Sequence, residues 1–185
     1  SVARPALAHA EIVDPADRSR FAALDTTAVL SLQWGKPAGD TLGLTGHFGP
    51  ERMAMIEPSG LLAAAGARIA MGSDWPVDAL DPWFALKVGV TRRNRPDAAP
   101  QFRGRLGEDP GLTVAEVLAA TTMGAAQVLH LDAVAGLIEP GRFADLVVLD
   151  RDPLAIPPEQ IASVQVLRTV VGGRTVHESA ITKSD

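Results

Sequence analysis

Short apolar runs alternate with segments of helical spacing over the first part of the chain. The apolar runs occupy residues 7–10, 26–33 and 67–72, and each has the composition of a short buried strand. Helical segments follow them at residues 14–24, 51–66 and 81–93. This alternation predicts an α/β chain with a parallel sheet and crossover helices.

Several helix ends carry capping signals. Asp14 and Pro15 fit an N-cap followed by proline at the first helical position. Thr113 and Glu116 have the spacing of a capping box, and a second helical stretch is predicted over residues 122–129. Pro58 predicts a break within residues 51–66.

The chain from residue 140 onward is predicted to contain only strands and turns. One strand is predicted over residues 144–150, and two more, over 164–171 and 174–177, are joined by a Gly-Gly turn. By contrast, the Gly- and Pro-rich residues 34–50 form a connection long enough to be functional or disordered.

Composition and charge exclude several classes of protein. The 185 residues are 46% hydrophobic and carry a net charge of -5, which is typical of a globular protein and argues against nucleic acid as the main partner. The basic run Arg92-Arg93-Asn94-Arg95 is interpreted as a solvated helix end. No apolar run is long enough to span a membrane, and we expect a cytoplasmic protein.

Two polar residues stand at predicted strand ends. His9 closes the first strand and Asp74 the third, and the carboxyl ends of parallel strands are where barrel enzymes hold their active residues. Because the chain has no cysteine, any metal must be held by His, Asp or Glu. His9 and Asp74 could both bind a divalent metal, and Asp74 could also transfer a proton.

Each of these candidates has a purely structural alternative. An Asp after Gly-Ser can simply cap a turn, and a histidine after small apolar residues can be a hydrogen-bonded core residue. A catalytic metal usually takes at least three protein ligands, and spacing supplies no third one. His47 and Trp75 are candidates for the substrate pocket, with a surface role for His47 and core packing for Trp75 as alternatives.

Longer stretches of the sequence resemble the amidohydrolase superfamily. Residues 72–77 (GSDWPV) resemble the segment at its eighth barrel strand, and residues 8–11 (AHAE) resemble its sixth strand. Residues 121–126 (TTMGAA) and 136–150 (GLIEPGRFADLVVLD) look like its C-terminal signature, and residues 166–176 (VLRTVVGGRTV) like its last hairpin. The most similar branch is amidohydrolase family 3, which includes N-substituted formamide deformylases.

This resemblance implies a fold and an activity. Residues 1–135 would be the C-terminal part of a TIM (β/α)8 barrel, with strands six to eight and their helices, and residues 136–185 would belong to a small β-sandwich. His9 would be a metal ligand, and Asp74 would contact the metal and shuttle a proton. The expected cofactor is a divalent metal, zinc above all. The expected reaction is hydrolysis of a non-peptide C–N bond, of amide or formamide type, in a small molecule by metal-activated water.

The sequence also departs from the family pattern. The family has a His-x-His pair on its first strand and further ligands on its fourth and fifth strands, and none of them can be placed here. A complete barrel takes about 250 residues. We therefore expect a C-terminal portion that is inactive alone and forms a homo-oligomer or pairs with a missing N-terminal part. The alternatives are an inert self-associating fragment without metal, or a barrel enzyme of another class, such as a lyase or isomerase.

Overall fold

A computed structural model describes residues 3–180 and arranges their strands in two sheets. The first sheet is parallel, in the order β1 (Ala6–Ala8), β2 (Thr27–Leu30) and β3 (Arg68–Met71). The second is antiparallel and consists of β4 (Leu146–Leu149), β5 (Val166–Val171) and β6 (Arg174–Glu178). The predicted order of an α/β part followed by a β part is confirmed.

Seven short α-helices connect the strands of the described chain. They are α1 (Arg18–Ala23), α2 (Gly39–Gly43), α3 (Pro50–Ala54), α4 (Ser59–Ala64), α5 (Pro82–Thr91), α6 (Val114–Ala119) and α7 (Ala125–Val128). A π-helical turn, Ala120–Gly124, joins α6 to α7. Within residues 3–180, no helix is long and apolar enough to cross a membrane.

The helix caps predicted at Asp14 and Thr113 are both present. The carboxylate of Asp14 accepts a hydrogen bond from the backbone N–H of Ala16, although the first turn is a 3-10 helix, Pro15–Asp17. Thr113 and Glu116 form the predicted capping box. Residues 34–50, predicted as a long connection, instead contain α2 and a 3-10 helix, Leu44–Gly46.

The main core lies between the parallel sheet and α5. Helix α5 is buried along most of its length, and its N-terminus is capped by Asp81, which accepts a hydrogen bond from the N–H of Phe84. Leu30 of β2 and Val117 of α6 belong to the same core. Ile161, from a 3-10 helix in the C-terminal part, is fully buried there too.

Two expectations about burial are wrong. The run that contains β1 was expected to be a buried strand, but all three residues of β1 are exposed, with Leu7 at 55%. The reason is that, within the described residues, β1 pairs with β2 alone and lies at the edge of its sheet. Arg92 was expected at a solvated helix end, yet it is only 1% exposed.

Arg92 is buried because its guanidinium group is fully engaged. It ends α5 in the left-handed conformation, with a φ of 55°. Its Nε donates to the carbonyl of Leu106 at 3.0 Å, and its two terminal nitrogens donate to the carbonyls of Glu57 and Ile56 at 2.7 Å each. The end of α5 is therefore fastened to the turn between α3 and α4.

Asp109 is the anionic partner of Arg92, at 3.4 Å. The carboxylate of Asp109 is fully buried and accepts hydrogen bonds from the backbone N–H groups of Gly60, Leu61 and Gly111. Pro58, the residue at the N-cap of α4, makes no side-chain cap. Asp109 therefore caps α4 from a distant part of the chain.

Replacing Arg92 by Met should lower the free energy of unfolding by about 3–5 kcal/mol, because it leaves Asp109 as a buried charge without its partner. The matched control is Arg93→Met at the next position, which is exposed. Its expected cost is below about 1 kcal/mol. Urea unfolding measured by circular dichroism compares the two variants, and equal losses would contradict the role assigned to Arg92.

Candidate active site

His9 and Asp74 both lie at the carboxyl edge of the parallel sheet. His9 directly follows β1, and its backbone N–H donates to the carbonyl of Val29 at 2.9 Å. Gly72 directly follows β3, and its N–H donates to the carbonyl of Leu30 at 3.1 Å. Since β2 separates the two strands, their axes are about 10 Å apart at this edge.

The backbone turns sharply at both strand ends. His9 has a φ of 72° and Asp74 a φ of 51°, in the left-handed region that residues other than glycine rarely adopt. Such conformations cost of order 1–3 kcal/mol each and cluster at functional sites. Both residues are exposed at this edge of the sheet.

The imidazole of His9 stacks on the indole of Trp34. The ring centroids are 5.0 Å apart and the planes are inclined by 20°. Trp34 ends the 3-10 helix Leu32–Trp34, which directly follows β2. Within residues 3–180, no hydrogen bond engages the His9 ring nitrogens or the Asp74 carboxylate. The stack thus orients the imidazole and leaves its nitrogens available.

The side chains present fit part of a metal site. Imidazole nitrogen and carboxylate oxygen are donors that zinc accepts. Across the part of the chain that the structure describes, however, no three His, Asp or Glu side chains are grouped so that they could hold a metal ion. His9 and Asp74 provide two donors, which falls short of the usual three.

The other two predicted site residues lie on the surface. Trp75 is 65% exposed and follows Asp74 directly. His47 is also exposed and lies just after the 3-10 helix Leu44–Gly46. Neither residue lines the cavity that opens beside the strand ends.

That cavity has a volume of about 430 Å³ and is called the Glu57 pocket here. Glu11, Trp34 and Val77, from the segments that follow β1, β2 and β3, form part of its wall. Glu57, from the turn between α3 and α4, closes another side. The pocket therefore adjoins the segments that carry His9 and Asp74.

Lys36 and Asp78 join two of the loops around the Glu57 pocket. Lys36 is only 8% exposed, and its Nζ donates to Oδ2 of Asp78 at 2.7 Å and to the carbonyl of Gln33 at 2.8 Å. The amide of Gln33 in turn donates to the carbonyl of Ala79 at 3.0 Å. These contacts fix the loop after β2 against the loop after β3.

Two hydrogen bonds of its backbone hold Glu57 in place. Its N–H donates to the carbonyl of Glu11 and its carbonyl accepts from Arg92, both at 2.7 Å. The residue has a φ of 54° and is 7% exposed. Burial raises the pKa of its carboxyl group to about 8; Glu11 and Asp109 raise this pKa further, while Arg92 and Lys36 lower it. Most of the Glu57 carboxyl groups are therefore protonated at pH 7.

The sequence did not single out Trp34, Lys36 or Glu57. One signal was available for Glu57, since it is a lone charge between Ile56 and Pro58. This signal is weak, because charged residues are rarely buried unless they are paired. Its proximity to the strand ends depends on the path of the chain between α3 and α4, which no local pattern encodes.

Comparison with known proteins agrees with this architecture. The profile of the Amidohydrolase family matches residues 2–177. The amidohydrolase-type protein YtcJ of Bacillus subtilis (strain 168) is 29% identical over 175 residues, which cover 94% of this chain and 32% of YtcJ. N-substituted formamide deformylase of Arthrobacter pascens is 28% identical over 167 residues, covering 90% of this chain and 30% of the deformylase.

A solved structure is similar as well. The crystal structure of a metal-dependent hydrolase from Pyrococcus horikoshii OT3 superposes with a TM-score of 0.69 at 24% identity, covering 84% of this chain and 30% of the other. This likeness shows a fold of the amidohydrolase, TIM-barrel type. The chain spans about a third of the length of the relatives it matches. With a family match over nearly its whole length, the chain belongs to the amidohydrolase family.

Proposed function

We propose that the chain contributes His9 and Asp74 to the catalytic centre of a metal-dependent hydrolase that cleaves a non-peptide C–N bond of amide or formamide type. The observation that carries the proposal is the pair itself. An imidazole and a carboxylate, two side-chain types that can bind metal, stand at the same edge of one parallel sheet. Both are on left-handed backbone, and within the described residues both have free donor atoms. The similarity to a formamide deformylase supports the choice of bond.

The proposed metal is zinc, held by an imidazole nitrogen of His9 and a carboxylate oxygen of Asp74. Bound there, a divalent cation would lower the pKa of water to about 7 and make hydroxide available at neutral pH. The stack on Trp34 restricts the rotation of the His9 ring. Residues 3–180 contain no group of three metal-binding side chains, so the proposal requires further donors in addition to these two.

Asp74 is proposed to move the proton. Its carboxylate accepts the proton of the attacking water and then donates it to the nitrogen that leaves as the C–N bond breaks. An amine is a poor leaving group until it is protonated, so this transfer is essential to C–N hydrolysis. A positioned acid–base group contributes typically 10²–10⁴-fold to a rate.

The surrounding architecture is proposed to be the barrel that the sequence resembles. Strands β1, β2 and β3 would be its sixth to eighth strands, and the sheet of β4, β5 and β6 would be part of the small β-sandwich. Within residues 3–180, β1 and β3 each pair with β2 alone, so each offers one open edge. These edges are suited to pairing with further strands, from the same protein or from another copy.

In the assembled enzyme, Asp74→Asn should lower kcat for an N-alkylformamide by at least about 100-fold, since the amide cannot accept the proton. Formate release measures this rate. Asp97→Asn changes an exposed aspartate of the loop before α6 and is the matched control, with kcat expected within about twofold of the parent value. Full turnover by the Asp74→Asn enzyme would remove Asp74 from the proposed role.

Zinc should bind to His9 at a lower concentration than to the other histidines. In a titration of the 185-residue chain followed by NMR of the imidazole nitrogens, we expect the His9 signals to shift at the lowest zinc concentration. His47, His130 and His177 provide internal controls, and Asp74→Asn should raise the midpoint for His9 about tenfold. An inert chain would show no such preference, and a shift of His47 ahead of His9 would contradict the proposed site.

A further inference from the structure

The Glu57 pocket contains a buried carboxyl group without a partner. Glu57 is more than nine-tenths buried, and within the described residues its carboxyl group makes neither a hydrogen bond nor an ion pair. Glu57 lines this pocket together with Glu11 and Lys36. Its carboxyl group interacts electrostatically with both of them, and with Arg92 and Asp109 outside the pocket. A buried polar group in this state is costly unless a ligand or another group engages it.

The two basic side chains near Glu57 already bind other groups. The ammonium group of Lys36 is held by Asp78 and by the carbonyl of Gln33. The guanidinium group of Arg92 is engaged by three backbone carbonyls and by Asp109. Neither side chain forms an ion pair with the Glu57 carboxyl group, which leaves a place for a cation from outside.

The charges that line the pocket favour a cation. Its wall carries four carboxyl groups, those of Glu11, Asp40, Glu57 and Asp78, against the single ammonium group of Lys36. An anion bound there would face more negative groups than positive ones. A cation would complement Glu57 and Glu11 without displacing the pair of Lys36 and Asp78.

The remaining wall is apolar. Trp34, Leu44, Ile56 and Val77 supply aliphatic and aromatic surface around the carboxyl groups. A volume of about 430 Å³ lies within the range typical of small-molecule sites. The pocket therefore suits a compact ligand that combines a positive charge with a short hydrocarbon body.

From this geometry we infer that the Glu57 pocket binds a primary ammonium or guanidinium group on a short apolar chain, and that it selects substrates carrying such a second, basic nitrogen. The binding step stands on the pocket alone, whereas its use in substrate selection rests on the proposed hydrolase function. Glu57 forms the ion pair, and Trp34 and Ile56 contact the hydrocarbon part. Because His9 and Asp74 do not line the pocket, the scissile bond would lie outside it.

Binding is expected to be linked to proton release. The raised pKa of Glu57 means that a cation must bind the minor, ionised form at neutral pH, so apparent affinity follows the ionised fraction. That fraction rises about fiftyfold between pH 6 and pH 8 for a pKa of about 8. The charged groups that face Glu57 are Glu11, Arg92, Lys36 and Asp109.

The first experiment is calorimetric titration of the 185-residue chain with butylammonium at pH 6 and pH 8. We expect saturable binding at pH 8, at least tenfold weaker binding at pH 6, and release of a proton detected by comparing buffers of different ionisation enthalpy. Butan-1-ol and butanoate, of the same chain length, should bind at least tenfold more weakly. Equal or tighter binding of butanoate would overturn the inference in favour of an anion site at Lys36.

The second experiment compares two Glu→Gln variants at pH 8. Glu57→Gln keeps the shape of the side chain but removes its charge, and it should weaken butylammonium at least tenfold and abolish the pH dependence. Glu51→Gln, on exposed α3 and outside the pocket, is the matched control and should bind like the parent chain. Unchanged affinity of a folded Glu57→Gln chain would refute the site. Should that variant not fold, the pH and proton-release results on the parent chain decide.

These outcomes are separable from those of the proposed function. The titrations use neither zinc nor a hydrolysable substrate, so loss of turnover or of zinc binding leaves them unaffected. Conversely, a chain that binds zinc through His9 but shows no saturable butylammonium binding would reject only the inference about the Glu57 pocket.

Discussion

The ion pair of Arg92 and Asp109 is the constraint on which much of this structure depends. A helix end, a tight turn, the start of another helix and a long loop all converge on these two buried side chains. Neither charge could remain buried without the other. The guanidinium group of Arg92 also donates to the carbonyl of Glu57, so the interior of the fold and the wall of the Glu57 pocket share this residue.

The two proposed sites are positioned by different parts of the fold. His9 and Asp74 are set by strand ends, where the backbone leaves a regular element and turns through the left-handed region. The Glu57 pocket is set by loops, which Lys36 and Asp78 fasten to one another. In the proposed enzyme, the strand ends would carry the chemistry and the loops would recognise the rest of the substrate, a division seen in many barrel enzymes.

The sequence predicted those features that depend on local signals. Asp14 and Thr113 mark helix starts through hydrogen bonds within a few residues, and Pro58 interrupts a helical segment between α3 and α4. The alternation of strands and helices was enough to bring His9 and Asp74 to one edge. The exposure of β1 and the burial of Arg92 depend on which segments pack beside them. Glu57 comes from a turn between two helices, so its place beside the strand ends follows from tertiary packing alone.

The backbone of Glu57 is anchored on both sides, by Glu11 and by Arg92, through atoms that every amino acid possesses. The side chain has no part in either bond. The side chain at position 57 can therefore differ in its chemistry without the loss of either anchoring bond. The left-handed φ restricts which residues fit there, since Asn, Asp and Gly tolerate this conformation and β-branched residues do not.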